Sequence, residues 1–148
     1  MDPMLKPGET APDFAVGTET LHQILAQRRA VVYFFPKAFT PGCTRESVQF
    51  RRDFERLWAA GCAVVGVSTD DQDTSDRFRQ ELDLPFPLVG DPDGAIVKAY
   101  KVRWPLIGFA QRVTYVIGQD KTITVARHDE LRAGRHSVAV CKAIVPGR

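Results

Sequence analysis

Short apolar runs and stretches of helical period alternate along the chain. Ala30-Val31-Val32-Tyr33-Phe34-Phe35 is β-branched and aromatic throughout and stops at Pro36, the pattern of a strand buried on both faces of a sheet. Cys62-Ala63-Val64-Val65-Gly66-Val67 repeats that pattern. Between the two runs Phe50, Phe54, Leu57 and Trp58 recur at helical spacing, so a helix is expected from about Cys43, with Gly61 as its stop. A strand, helix, strand unit sets two parallel strands side by side through a right-handed crossover. The turn leaving the first strand then lies at the carboxyl edge of the sheet, where ligands bind.

Further along, Asp73-Thr74 is expected to cap a helix carrying Phe78 and Leu82. Pro85-Phe86-Pro87-Leu88-Val89 reads as a short strand closed by the turn Asp91-Pro92-Asp93-Gly94, and a helix with Ile96, Val97 and Tyr100 comes after it. Arg112 to Ile117 and Lys121 to Ala126 are β-rich runs joined by the three-residue loop Gly118-Gln119-Asp120, which predicts a hairpin. A last helix is expected after Gly134, with Val138, Cys141, Ile144 and Val145 on the face that packs against the sheet. The order predicts an α/β fold.

The composition narrows the function classes. A chain of 148 residues that is 44% hydrophobic and 26% charged predicts one domain over residues 1–148 with its own core. At that length folding hides roughly two-thirds of the surface the unfolded chain exposes, so neither metal nor disulfide staples are needed. Twenty Lys and Arg against eighteen Asp and Glu, scattered along the chain, leave no electrostatic footprint for nucleic acid. No leader-like apolar region opens the chain and no later run is long enough to cross a membrane, so a cytoplasmic protein is expected. His22, His128 and His136 lack a grouping with ligand spacing, and no metal is expected. The three cysteines, Cys43, Cys62 and Cys141, are an odd and widely spaced set.

Cys43 falls in the first turn of the expected helix, directly after the first buried strand. First-turn amides lack intrahelical partners and the helix dipole is positive there, so a thiolate is favoured over the neutral thiol. Gly42 lets the backbone approach closely, Pro36 and Pro41 stiffen the loop, and the Thr40 hydroxyl is placed to reach the sulfur or a bound substrate. The alternative is a buried cysteine that merely opens a helix. Ionisation alone does not make a fast catalyst. Taking a thiol from a pKa of about 8.5 to about 6 raises its thiolate fraction at neutral pH roughly thirtyfold, while its nucleophilicity falls roughly tenfold. Groups that orient the electrophile and stabilise the shifting charge must supply the rest.

The pattern Pro36, Thr40, Cys43 resembles the Pro-x-x-x-Thr-x-x-Cys signature of peroxiredoxins. The longer string from Phe35 to Glu46 is similar to the bacterioferritin comigratory protein branch, or Q type, and similarity runs along most of the chain from Gly8 through Asp91-Pro92-Asp93-Gly94. The resemblance implies a thioredoxin-like fold with a central mixed sheet and helices on both faces. It also implies thiol-dependent reduction of hydrogen peroxide or organic hydroperoxides without metal or organic cofactor. It assigns Cys43 as the thiolate that attacks peroxide and becomes a sulfenic acid. Arg112 is the arginine that stabilises thiolate and breaking O–O bond, Thr40 a hydrogen-bonding group for peroxide, and Pro36 a shield for the sulfenic acid. Glu46 steers Arg112.

One departure from the Q type changes the expected cycle: Val48 stands five residues after Cys43, where many members carry a resolving cysteine. A single-cysteine cycle is expected, with thioredoxin, glutaredoxin or a low-molecular-weight thiol resolving the sulfenic acid. Cys62 and Cys141 read as core residues, and Cys141 is the reserve candidate for resolution. The segment from Val16 to Arg29 looks shorter than the family's N-terminal hairpin and connector. A monomer or homodimer is expected. Two other readings stand beside this one. A thioredoxin-like disulfide oxidoreductase would need a Cys-x-x-Cys pair, which the chain lacks, and a redox-sensing module would use Cys43 without turnover.

Overall fold

A computed structural model describes residues 4–105 and 108–128 of the chain. A two-residue hairpin opens it, β1 (Ala15–Val16) against β2 (Glu19–Thr20), turning through Gly17 at φ 62°. Helix α1 (Leu21–Leu25) begins at once, because Thr20 and Gln23 form a reciprocal capping box at its start. Strand β3 (Arg29–Phe34), helix α2 (Pro41–Ala59) and strand β4 (Cys62–Ser68) make up the expected strand, helix, strand unit. Gly61, at φ 80°, ends α2 as anticipated. Helix α3 (Gln72–Leu82), strand β5 (Leu88–Gly90), helix α4 (Ala95–Ala99) and the hairpin β6 (Val113–Ile117) and β7 (Ile123–His128) complete the order.

The main sheet runs β5-β4-β3-β6-β7. Strands β3, β4 and β5 are parallel, whereas β6 is antiparallel to β3 and to β7, so the sheet is mixed as expected. Alternate residues of β3 point to opposite faces. Val32 and Phe34 join Leu21, Leu25, Val97 and Tyr100 on one side, where α1 and α4 lie. Val31, Tyr33 and Phe35 join Phe50, Leu57 and Phe78 on the other, under α2 and α3. Tyr33 stacks on Phe50 with ring centroids 4.5 Å apart. Gly66 makes room for that ring, since a Cβ there would lie 2.8 Å from Tyr33 Cζ and 2.5 Å from Leu88 Cδ2.

Most boundaries shift by a residue or two from the sequence reading, and three of the differences have a clear physical cause. Helix α3 is capped by Asp71, whose Oδ1 accepts from the Thr74 N–H at 2.8 Å, and Asp73-Thr74 lie inside its first turn. Strand β5 begins at Leu88, because Pro85 and Pro87 have no N–H for the ladder; Pro87 contributes only its carbonyl, which accepts from Gly66. Strand β7 begins at Ile123 rather than Lys121, which takes a left-handed conformation at φ 69°. The open edge of β5 is closed by a side chain: the Gln72 amide donates to the Leu88 carbonyl and accepts from the Gly90 N–H. The helix expected after Gly134, and Cys141 with it, lie outside the described residues.

Candidate active site

Strand β3 delivers the chain to the carboxyl edge of the sheet, where Phe35 adds one last backbone bond to Val67 of β4. The loop Pro36 to Thr40 then turns into α2, with Thr40 as N-cap and Pro41 in the first turn, where its missing N–H costs nothing. Phe39 takes φ 66°, a left-handed conformation that costs an aromatic residue about 1–3 kcal/mol and persists only where the surroundings impose it. Cys43 is fully buried in the first turn of α2. Glu46, one turn further along, is fully buried as well and shares its face.

Arg112 meets both from the neighbouring strand. The Phe34–Val113 pair of β3 and β6 places Arg112 beside the end of β3. Its Nη2 donates to Cys43 Sγ at 3.5 Å and its Nη1 donates to Glu46 Oε1 at 2.8 Å. Burial by itself disfavours the guanidinium charge, but Glu46 and Cys43 more than offset it and hold the Arg112 pKa above its ordinary value. A permanent cation therefore sits against the sulfur. Gly42 makes the approach feasible: a Cβ there would lie 3.1 Å from Arg112 Nη2. Beneath the helix the Tyr33 hydroxyl and Ser47 Oγ are 2.8 Å apart. Desolvation, with Glu46 and Cys43 nearby, pushes Tyr33 well above its usual pKa, so it stays neutral.

The sequence reading named Cys43, Glu46 and Arg112, and the fold brings all three into contact. Thr40 and Pro36 are half-buried in the connecting loop. The Thr40 hydroxyl donates to the Lys37 carbonyl at 2.8 Å, which commits its proton and leaves its oxygen as an acceptor. Cys62 is fully buried at the start of β4. The Tyr33–Ser47 pair was not anticipated, although a tyrosine within a buried run needs a polar partner, which was the available signal. Among the described residues no group of three His, Cys, Asp or Glu side chains could hold a metal, and no helix is long and apolar enough to cross a membrane.

Residues 7–126 match the model of the AhpC/TSA family. A Mycobacterium tuberculosis protein assigned to the peroxiredoxins is 34% identical over 144 residues, which span 88% of this chain and 89% of that protein. The chloroplastic peroxiredoxin Q of Oryza sativa subsp. japonica is 30% identical over 134 residues, covering 87% of this chain and 62% of the rice protein. Among solved structures, peroxidoxin BcpB from Mycobacterium tuberculosis superposes with a TM-score of 0.84 at 28% identity, over 95% of this chain and 98% of that one. The Xanthomonas campestris bacterioferritin comigratory protein, described for its alkyl peroxide reduction activity, gives a TM-score of 0.78 at 28% identity, over 94% of this chain and 89% of that one. Fold, motif and kinship agree: the chain belongs to the AhpC/TSA family, with a thioredoxin-like fold, and is a thiol-dependent peroxidase of the peroxiredoxin Q and bacterioferritin comigratory type.

Proposed function

We propose that the chain reduces hydrogen peroxide and organic hydroperoxides through a sulfenic acid at Cys43. The Cys43 thiolate attacks the terminal peroxide oxygen; an S–O bond forms as the O–O bond breaks, sulfur loses two electrons, and the departing oxygen leaves as water or an alcohol after protonation. Arg112 lies against the sulfur and is fixed at its far side by Glu46, so its charge is already in place when negative charge moves to the leaving oxygen. The Thr40 oxygen, with its proton committed to Lys37, accepts from the peroxide O–H. Pro36 borders the loop and shields the product. The alkyl peroxide reduction of the Xanthomonas campestris relative supports the organic substrates.

The cycle closes with an external thiol. Val48 rules out a local disulfide at that position, and Cys62 is sealed inside β4, which supports attack on the sulfenic acid by thioredoxin, glutaredoxin or a low-molecular-weight thiol. That attack releases water and leaves a mixed disulfide, which a second thiol reduces back to Cys43. The 3.5 Å contact between Arg112 and Cys43 is the observation that carries this reading. In the test, Cys43→Ser abolishes peroxide consumption by the purified protein and Arg112→Ala slows it. Consumption that survives Cys43→Ser rejects the mechanism, and a Cys43–Cys141 crosslink after peroxide treatment rejects the external-thiol cycle.

A further inference from the structure

The loop that carries Thr40 into α2 is held from outside itself. Ala38 is buried, and its N–H donates to Asp70 Oδ2 at 2.7 Å. The same carboxylate oxygen accepts from Ser68 Oγ at 2.7 Å, and Ser68 is fully buried at the end of β4. A rigid strand thus fixes the carboxylate, and the carboxylate fixes the loop. The next residue, Phe39, is the one in the left-handed conformation. Its ring meets Phe78 of α3 edge-on, with centroids 5.1 Å apart, and lies 5.9 Å from the Arg77 guanidinium. Every one of these holding groups belongs to the segment from Ser68 to Phe78. The unfavourable turn at Phe39 is thus held by the segment that joins β4 to α3 as well as by the Thr40–Lys37 hydrogen bond within the loop.

Directly after Phe39 the chain reaches Thr40, the N-cap, and then the turn with Cys43. We infer that Asp70 is a positioning residue for the peroxide-reducing step: its grip on Ala38 sets the left-handed turn at Phe39, and through it the placement of Cys43 against Arg112. This inference rests on the proposed reaction of Cys43 with peroxide. A shift of about 1 Å between reacting groups can cost roughly a hundredfold in rate, so a loosened loop acts on chemistry as well as on stability.

The test compares Asp70→Ala with Asp70→Asn, which keeps an oxygen for the Ala38 N–H. The readouts are the rate constant for thiol loss with hydrogen peroxide and the exchange of backbone amides. Asp70→Ala should lose about tenfold or more in rate while Asp70→Asn stays within about threefold of the parent. The Ala38 amide should exchange faster in Asp70→Ala, with β6 amides unchanged. A parent-like rate in Asp70→Ala, an equal loss in Asp70→Asn, or faster exchange throughout the sheet overturns the inference. If Asp70→Ala does not fold, Ser68→Ala replaces it and a parent-like rate there overturns it equally. If the parent itself leaves peroxide untouched, the peroxidase reading fails, and Ala38 exchange alone decides whether Asp70 holds the loop.

Discussion

Gly42 and Arg112 stand so close that a single added carbon would press on the guanidinium beside Cys43: a Cβ on Gly42 would lie 3.1 Å from Arg112 Nη2, the atom that reaches Cys43 Sγ. Gly42 is helical, so alanine suits its backbone better than glycine does. Gly42→Ala should therefore keep or raise the melting temperature while the rate of peroxide reduction falls by about tenfold, as the guanidinium is displaced. Thermal melts and peroxide kinetics on the same preparation check both halves.

The Glu46–Arg112 pair is buried, with the glutamate fully enclosed. Removing one partner of such a pair leaves an uncompensated charge, so Glu46→Ala should cost roughly 3–5 kcal/mol of stability. Glu46→Gln keeps an oxygen for Arg112 and should cost less than half as much, while still slowing the reaction because the guanidinium is held less firmly. Chemical denaturation separates the two variants.

Gly66 faces Tyr33 across the parallel β3–β4 pair. With a Cβ 2.5 Å from Leu88 Cδ2 and 2.8 Å from Tyr33 Cζ, Gly66→Ala must move the ring that sits under α2. Overpacking of this kind should destabilise by about 1–3 kcal/mol. Urea unfolding monitored by near-ultraviolet tyrosine signals reads the loss directly.

Asp71 carries a pH dependence. The Thr74 N–H holds the Asp71 carboxyl below its ordinary pKa, so its contribution to stability is present above the unfolded carboxylate value of about 3.9 and is lost as pH falls through the lower folded value. Asp71→Ala should melt a few degrees below the parent near neutral pH, and the gap should close in strong acid. Asp71→Asn, a good cap without charge, should keep its melting temperature there relative to the parent.

Much of the fold was legible because its central elements are long and strongly patterned. The β3 and β4 runs are apolar on both faces, and Phe50, Phe54 and Leu57 mark one stripe of α2. The two-residue strands β1 and β2 are too short to show any period. Helix α1 had a local signal, Thr20 followed by Gln23, that a search for capping boxes would have found. At the site, Cys43 was visible from its place in the first turn of a helix, and Arg112 only through the family resemblance. The Asp70 grip on Ala38 was not, since it joins residues thirty-two apart in sequence and depends on which strand ends meet at the sheet edge. Thr40 also needed coordinates, because only they show where its hydroxyl proton goes.

If Cys43 is the sulfur that peroxide oxidises, the oxidised atom can be caught and located. The purified protein is treated with one equivalent of hydrogen peroxide and trapped with a sulfenic-acid reagent, and the label is mapped by mass spectrometry. The label should fall on Cys43, with Cys62 unmodified and with trapping much slower in Arg112→Ala. A label on Cys62 or Cys141 with Cys43 left as a thiol would overturn the assignment.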